Sequence, residues 1–337
     1  MRSPEWQGAA RVGGGVGQAY NPRVIDWSML RKAELHAHFN GSIPPSAIAE
    51  IISDRGLDQR LIPPVLKEPV ESMVTYLDTW KIYRQLPSDQ VALELFASAI
   101  ANEFARDNVT YAELRHTVVE IGLANAIPVV RALDGLLGAI DRASDDRIDL
   151  RLIVGLSRWR ATESYLTELY EALKSYQGNP RLVGVDLSGD ENLPTAVETP
   201  RFFQRVRDEL GLKVTIHAGE LGSVENVRWA VEECQASRIG HALAAAGDAN
   251  LTGLLLARGT VVETCLTSNF LTRATPDLTN HPALRLFRAG VPIVLGADNP
   301  ALHGNDLSEE YVKASRLFGF DATNEIADNS HRYSFRR

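Results

Sequence analysis

Eight short runs of apolar or β-branched residues recur along the chain, and turn or helix signals bound each run. Helical patterns, such as those over 163–176 and 224–234, lie between most of these runs and have the length that a parallel crossover requires. Alternating strands and helices favour a parallel sheet, and eight is the strand number of a closed barrel. The sequence therefore predicts the α/β class, as a (β/α)8 TIM-type barrel. The predicted strands span residues 32–38, 109–115, 148–157, 181–189, 213–219, 237–243, 260–269 and 291–299.

The interval between the first two runs is unusually long, about 70 residues where a bare crossover needs roughly a dozen. Apolar residues in this interval have helical spacing, both at 48–52 and at 73–83. We therefore expect a helical insertion after the first strand, over residues 44–106, with two or three amphipathic helices. Segments that follow barrel strands lie at the mouth, so the insertion either covers a pocket as a lid or only caps the barrel.

The length of 337 residues fits either two ordinary domains or one large barrel. Residues 1–23 mix Gly, Ala, Arg and Pro without periodicity, and we expect them to form a flexible leader. After residue 23, no internal repeat or Pro-rich linker divides the chain. This pattern favours a single barrel domain over residues 24–337.

The composition of the chain limits which binding partners and which cellular compartment we expect. Hydrophobic residues make up 45% and charged residues 23%, which is typical of a globular protein. No apolar run reaches the ~18 residues that cross a bilayer, and the N-terminus lacks the apolar stretch of a signal peptide, so we expect a cytoplasmic protein without a membrane partner. The net charge of −8, without a basic cluster, disfavours nucleic acid. With only Cys234 and Cys265, any metal must be held mainly by His and carboxylates.

Polar residues with ligand chemistry stand at the ends of several predicted strands. The first strand ends in His36 and His38, whose side chains point to the same face because they lie two apart. Alone, such a pair is more often two hydrogen-bonded structural histidines than a pair of metal ligands. The further strand-end residues are His217, Glu220, His241, Asp298 and Asn299. In a barrel all of them lie at the C-terminal rim, where catalytic groups of this fold are found. We expect surface or core roles for the other histidines, His116, His281, His303 and His331.

Two or three neutral imidazoles with one carboxylate suit Zn²⁺ better than Ca²⁺ or Mg²⁺, although iron and manganese stay open. Zinc held in this way lowers the pKa of a bound water toward ~7 and so supplies hydroxide at neutral pH. Glu220 lies three residues after His217, just before a helix that Ser223 could cap, so it can reach the pocket without binding the metal. A buried carboxyl there has a raised pKa and can donate a proton. This pattern predicts hydrolysis.

Seven motifs occur in order over nearly the whole chain after residue 30: K-A-E-L-H-A-H-F-N-G-S, E-L-R, V-G-V-D-L-S-G-D-E, H-A-G-E, R-I-G-H, E-T-C-L-T-S-N and G-A-D-N-P. This set resembles the adenosine deaminase family of metal-dependent barrel hydrolases. The resemblance implies hydrolytic deamination of a purine at carbon 6 by a barrel with one Zn²⁺ per chain. The motifs differ from the H-x-E and P-C-x-x-C of the small zinc deaminases that act on flipped bases.

The resemblance also implies a role for each site residue. Glu220 protonates nitrogen 1 of the purine while hydroxide attacks carbon 6. His241 orients or deprotonates the attacking water, and Glu263 fixes that imidazole. For Glu263, a strand carboxylate paired with any nearby base is the alternative. The implied zinc ligands are His36, His38, His217 and Asp298.

Substrate contacts are implied for His38, Asn40, Gly189 and Asn299. Gly189 either offers a backbone donor to the ring or is an ordinary turn glycine. Asn299 stands where the family usually has a second Asp that contacts nitrogen 7, and an amide can donate there but cannot ionise. Asn40 stands where the adenosine-specific branch commonly has Asp, and H-A-H-x-N-G-S resembles the branch acting on 6-substituted adenosine monophosphates.

These observations leave several functions open. The leading hypothesis is zinc-dependent deamination of an adenosine-type nucleoside to the 6-oxopurine (inosine-type) product and ammonia. The alternatives within the family are a 6-substituted adenosine monophosphate, adenine or another modified purine. The monophosphate has a physical reason, because an Asp at position 40 would repel a phosphate and the uncharged Asn40 does not. H-A-G-E and the lack of an obvious phosphate-binding Arg or Lys at a strand end favour a neutral nucleoside or base. Lys81 and Arg84 of the insertion could supply positive charge, but by default both are solvated helix residues. A purine-binding protein that has lost turnover and a barrel hydrolase of amides or phosphoesters are the alternatives from other classes. The oligomeric state is open.

Overall fold

The structure, a computed structural model, describes residues 26–336, and its sheet forms a closed barrel. Eight strands follow one another in chain order, and all neighbouring pairs are parallel. A parallel bridge between Ala37 and Asp298 joins the first strand to the segment just after the last strand. There the N–H of His38 donates to the carbonyl of Asp298 at 2.8 Å, and the N–H of Asp298 donates to the carbonyl of His36 at 2.8 Å. The predicted (β/α)8 barrel is thereby confirmed. The leader expected over 1–23 lies outside the described residues.

The strands begin and end close to the predicted runs in the first half of the barrel. They are β1 (Lys32–His38), β2 (Val109–His116), β3 (Asp149–Ser157), β4 (Leu182–Ser188), β5 (Lys213–Ala218), β6 (Arg238–His241), β7 (Val261–Thr264) and β8 (Ile293–Leu295).

The last two strands are much shorter than the runs over 260–269 and 291–299 predict. The segment after β7 turns into a helix, in which the N–H of Asn269 donates to the carbonyl of Cys265 at 2.9 Å. After β8 the regular strand ends; Asp298 still bridges to the first strand, but its backbone takes a left-handed conformation with φ of 60°. Both segments are buried, which is why their apolar and β-branched residues resemble strands in the sequence.

Helices surround the barrel and fill the insertion. They are α1 (Phe39–Ser42), α2 (Pro45–Asp54), α3 (Met73–Tyr83), α4 (Gln90–Arg106), α5 (Val118–Asn125), α6 (Val129–Ala143), α7 (Glu163–Ser175), α8 (Thr199–Leu210), α9 (Val224–Glu232), α10 (Ala249–Arg258), α11 (Leu266–Leu271), α12 (Ala283–Arg288), α13 (Pro300–His303), α14 (Leu307–Phe318) and α15 (Phe320–Arg332). Four short 3-10 helices occur at Trp27–Met29, Gln59–Leu61, Arg158–Arg160 and Leu243–Gly247. The segment 44–106 thus holds three α-helices, α2 to α4.

Side-chain caps define where several helices begin. Ser72 accepts from the N–H of Thr75 at 3.2 Å at the start of α3, and Asp89 accepts from Ala92 at 3.3 Å at the start of α4. Ser223 accepts from the N–H of Asn226 at 3.1 Å, as the sequence predicts for the helix after β5. These caps fix the helix starts next to the barrel mouth.

Within residues 26–336, no single helix has the length and apolar composition to cross a membrane. One bent pair, α5 with α6 at 112°, meets both criteria only when its two members are taken together.

Candidate active site

Four side chains from three strand ends meet at the mouth of the barrel. His36 and His38 come from β1, His217 from β5 and Asp298 from the loop after β8. One ligand atom of each lies within 4.8 Å of one ligand atom of all the others. The Nε2 atoms of His38 and His217 are 3.2 Å apart, and the Nε2 atom of His38 is 3.3 Å from Oδ1 of Asp298. The structure therefore brings together all four predicted ligands.

The imidazoles are oriented by carboxylates that bind their other ring nitrogens. Nδ1 of His36 lies 2.7 Å from Oε2 of Glu263, and Nδ1 of His217 lies 3.0 Å from Oδ1 of Asp186. Each Nδ1 therefore donates its proton to a carboxylate, and each Nε2 presents a lone pair to the centre of the cluster. Burial lowers the pKa of His38 to about 3, which also leaves that ring neutral at pH 7.

The spacing of these donor atoms suits one bound metal ion. Two ligands that are each about 2.0–2.1 Å from the same Zn²⁺ cannot be more than about 4.2 Å apart. The separations of 3.2, 3.3 and 3.6 Å among these nitrogen and oxygen atoms meet this condition. Neutral imidazoles and a carboxylate also match the ligands that zinc accepts without thiolate.

Glu220 lies beside this cluster in the loop between β5 and α9. Its Oε1 accepts from the hydroxyl of Thr272 at 3.3 Å, and its Oε2 lies 3.6 Å from Nε2 of His241. Burial raises the pKa of Glu220 to about 8, and the charges of Asp298 and Glu191 raise it further in the same direction. The carboxyl is therefore protonated at neutral pH and can act as a general acid.

His241 ends β6 with its backbone in the left-handed region, at φ of 68°. This conformation is costly for a residue with a side chain, and such strain is concentrated at functional sites. The side chain is 1% exposed, and burial holds its pKa well below the ordinary value. Its Nδ1 lies 3.0 Å from the amide nitrogen of Asn269 in α11.

The predicted pairing of Glu263 with the imidazole of His241 is wrong. Glu263 is 0% exposed and contacts His36, because its strand β7 places the carboxylate below the rim. Its other oxygen accepts from Arg238 at 2.6 Å and from the hydroxyl of Thr215 at 3.0 Å, while Arg115 also contacts the carboxylate. Burial alone would raise the pKa of Glu263, but the two guanidinium groups hold it well below the ordinary range. Glu263 thus positions a ligand and does not touch the cavity.

A cavity of about 350 Å³ opens above the cluster. Residues of helix α3, in the insertion, form part of its wall. The predicted substrate contacts all line this cavity: His38, Asn40, Gly189 and Asn299. At Gly189, a Cβ atom would meet only the N atom of Arg158, at 3.8 Å, but φ is 98°. Glycine is therefore required there by the backbone conformation rather than by neighbouring protein atoms.

Asn299 is tied to the insertion by a buried hydrogen-bond chain. Its Nδ2 donates to the hydroxyl of Tyr76 in α3 at 2.8 Å, and that hydroxyl lies 3.0 Å from Nε2 of His303. The Oδ1 atom of Asn299 has no hydrogen-bond partner among the described residues. The amide thus keeps its acceptor and its second N–H for a ligand, whereas a carboxylate would have to be protonated to donate.

Gly41 leaves room for this amide, so Gly41→Ala is expected to lower kcat/KM at least about tenfold. A Cβ atom at residue 41 would lie 2.0 Å from Oδ1 of Asn299, which forces the side chain of Asn299 away from the cavity. Steady-state kinetics measure this effect. Gly253→Ala in α10 is the control, because its Cβ meets nothing within 4 Å and alanine is the better helix former by ~1 kcal/mol. Wild-type kinetics of Gly41→Ala would contradict the packing argument.

The sequence analysis did not single out several residues of the site. Asp186 in β4 and Arg115 in β2 are 0% and 1% exposed, and a charged residue in an apolar strand is a signal that could have identified both. His281 and His303 are buried next to the site, and their sequence neighbours gave no indication of it. Tyr76 was recognised only by its helical spacing.

Comparison with known proteins agrees with this geometry. The sequence model of the family described as Adenosine deaminase matches residues 31–336. An adenine deaminase of Rhizobium etli is 31% identical over 297 residues, covering 87% of this chain and 90% of the relative. An adenosine deaminase of Edwardsiella ictaluri is 31% identical over 303 residues, covering 86% of this chain and 88% of the relative.

The fold has close relatives among solved structures as well. The crystal structure of an arabidopsis N6-mAMP deaminase superimposes with a TM-score of 0.80 at 24% identity, over 92% of this chain and 95% of that chain. At this identity the likeness supports the barrel fold. Together with the match over residues 31–336 and the relatives at 31% identity, the geometry leads to one conclusion. The chain belongs to the adenosine deaminase family of hydrolases, and the relatives named above are deaminases of adenine-type purines.

Proposed function

We propose that this protein catalyses the zinc-dependent deamination of a neutral adenosine-type nucleoside at carbon 6, giving the 6-oxopurine and ammonia. The observation that supports this most directly is the placement of the Glu220 carboxyl, whose pKa burial raises, beside four side chains that could hold a metal in one cavity. Zinc supplies activated water at neutral pH when it is held by such ligands. The three imidazoles and Asp298 would hold it.

The protein side chains protonate and bind the purine. Glu220 donates a proton to nitrogen 1 of the ring, which removes aromatic resonance and makes carbon 6 electrophilic. Asn299 contacts the edge of the ring that carries nitrogen 7, because an Asn amide matches the amino group and nitrogen 7 of adenine. The barrel and α3 bury the base, which strengthens each of these polar interactions.

The charged residues of the cavity wall offer a phosphate no net attraction. Two wall carboxylates are neutralised by ion pairs, Asp78 with Lys81 at 2.8 Å and Glu120 with an arginine at 2.9 Å. Among the described residues, Arg84 and Asp190 line the cavity without an ion pair, and their opposite charges offset each other. This balance favours a neutral substrate. A cavity of about 350 Å³ is within the range of small-molecule pockets and is compatible with a nucleoside.

Two other substrates remain in the same class. A relative is named adenine deaminase, and the solved neighbour acts on N6-mAMP. Asn40 and Arg84 are the residues of this chain that favour a monophosphate, since Asn40 adds no negative charge and Arg84 lies over Trp159 at 5.4 Å on the cavity wall.

A substrate panel tests the proposal. We expect the zinc-loaded protein to release ammonia from adenosine or deoxyadenosine with kcat/KM at least about tenfold above adenine, adenosine monophosphate and 6-methylaminopurine ribotide. Chelation should abolish the activity, and zinc should restore it. Faster turnover of a monophosphate would replace the nucleoside by that substrate. Stoichiometric zinc and nucleoside binding without product would instead establish a binding protein.

A further inference from the structure

A chain of buried hydrogen bonds leads from helix α12 to His241. The backbone N–H of Ala283 donates to Nδ1 of His281 at 3.2 Å. Nε2 of His281 lies 3.3 Å from Oδ1 of Asn269, and Nδ2 of Asn269 lies 3.0 Å from Nδ1 of His241. The three side chains are 1%, 0% and 1% exposed, so solvent does not compete for these bonds. The chain joins α12, α11 and the end of β6.

The first link fixes the direction of all the others, because a backbone N–H can only donate. Nδ1 of His281 must therefore be unprotonated, and the proton of a neutral ring sits on Nε2. That proton is donated to Oδ1 of Asn269, which turns the amide nitrogen of Asn269 toward His241. An amide nitrogen also only donates, so Nδ1 of His241 is an acceptor, and Nε2 of His241 holds the proton.

Both rings are neutral, because one nitrogen of each ring accepts a hydrogen bond and so has no proton. For His281, burial also lowers the pKa to about 4, against a smaller opposite effect of Asp277. Each imidazole therefore has one proton, and its position is set by the neighbouring hydrogen bonds.

We propose that His281 and Asn269 are positioning residues that hold His241 as the Nε2–H tautomer, so that His241 donates a hydrogen bond into the active site and does not act as a base. This inference rests on the proposed function only in taking the oxygen that attacks the purine as the acceptor of this hydrogen bond. Nε2 of His241 faces the cavity, 3.6 Å from Oε2 of Glu220. A donor at this point orients the attacking oxygen and stabilises the negative charge that develops on it.

The tautomer can be measured directly by NMR on the zinc-loaded protein labelled with ¹⁵N-histidine. Long-range ¹H–¹⁵N correlations distinguish the protonated from the unprotonated ring nitrogen, and the His241→Gln spectrum assigns the signal. We expect wild-type His241 with its proton on Nε2. A wild-type signal with the proton on Nδ1 would overturn the inference. This result does not depend on turnover of any purine, so it is separate from the substrate panel.

Two variants test the role of the chain. In Asn269→Asp the carboxylate accepts from both rings, so His241 should change to the Nδ1–H tautomer and kcat/KM should fall at least about 100-fold. In His281→Ala the amide of Asn269 loses its fixed direction, and we expect both tautomers of His241. An unchanged tautomer in both variants overturns the relay, and a reversed tautomer with wild-type kcat/KM overturns its use in catalysis.

Asn329→Asp is the matched control for the added carboxylate. Asn329 is a buried amide in α15 that donates to the carbonyl of Ile293 at 3.3 Å, away from the cavity. We expect it to leave the His241 signal unchanged, whatever it does to stability. A merely structural role of Asn269 would lower the unfolding temperature in both Asp variants without reversing the tautomer, and that result also overturns the proposal.

Discussion

Replacing Glu220 with Gln is expected to lower kcat by about two to four orders of magnitude while the protein keeps its metal. The amide has nearly the same shape and can donate a hydrogen bond, but it cannot transfer a proton to the purine ring. Burial and the charge of Asp298 raise the pKa of Glu220 to about 8, so the wild-type group holds its proton at neutral pH. No ligand atom of the metal cluster is removed by the substitution.

Steady-state kinetics on the best substrate of the panel, together with metal content, test this expectation. Glu225→Gln is the matched control, because Glu225 lies five residues on, in the first turn of α9, and is exposed. It should retain wild-type kcat. Full activity in Glu220→Gln would show that Glu220 is not the proton donor. Loss of metal in that variant would mean that the lower kcat arises from the missing metal and not from the missing proton donor.

The raised pKa of Glu220 also has a consequence for stability. The folded state keeps a proton that the unfolded chain loses above its ordinary pKa of 4.5, so the folded state loses stability as pH rises from there to about 8. Because Gln cannot ionise, we expect the metal-free Glu220→Gln protein to unfold at a higher temperature than wild type at pH 8, with a smaller difference at pH 5.

Replacing Glu263 with Ala is expected to lower the free energy of unfolding by about 3–5 kcal/mol. The carboxylate is 0% exposed and binds the guanidinium groups of Arg115 and Arg238, each 1% exposed. Removing it leaves two buried positive charges without their shared partner. Arg238 also contacts Glu113 and donates to the carbonyl of Tyr333 at 2.9 Å, so the loss extends to the C-terminal segment.

The same substitution should weaken zinc binding by about 10- to 100-fold, because Nδ1 of His36 loses the acceptor that orients the ring. Thermal or urea unfolding and competition with a chelator measure the two effects. Glu94→Ala is the control, since it breaks an exposed pair with Arg142, in which Glu94 is 42% exposed, and such pairs contribute about 0–1 kcal/mol. Equal losses in the two variants would contradict the argument from burial.

Hydrophobic periodicity alone predicts most of the barrel. The runs that become β1 to β5 and the helical patterns between them depend on residues close together in sequence, and the structure agrees there within one or two residues. The method fails after Thr264 and Leu295, because a buried helix turn and a buried loop have the same apolar composition as a strand. There only the tertiary contacts decide the conformation.

The candidate site, like the barrel, is predicted in part by the sequence and decided in part by tertiary contacts. His36, His38, His217, Glu220 and Asp298 are recognisable because each stands at a strand end, and a closed barrel brings strand ends to one rim. The seven motifs, in their order along the chain, indicated the family. The sequence by itself therefore determined the barrel fold and the residues that its strand ends bring to one rim.

Only the tertiary structure decided which groups hold those side chains in place. Glu263 and His36 are 227 residues apart, and their contact depends on the depth of β7 in the barrel, which no local pattern encodes. The chain from His281 through Asn269 to His241 is likewise formed by three separate elements. Hydrogen-bond direction depends on the distance and orientation of specific donors and acceptors, and these are fixed only when the elements pack together.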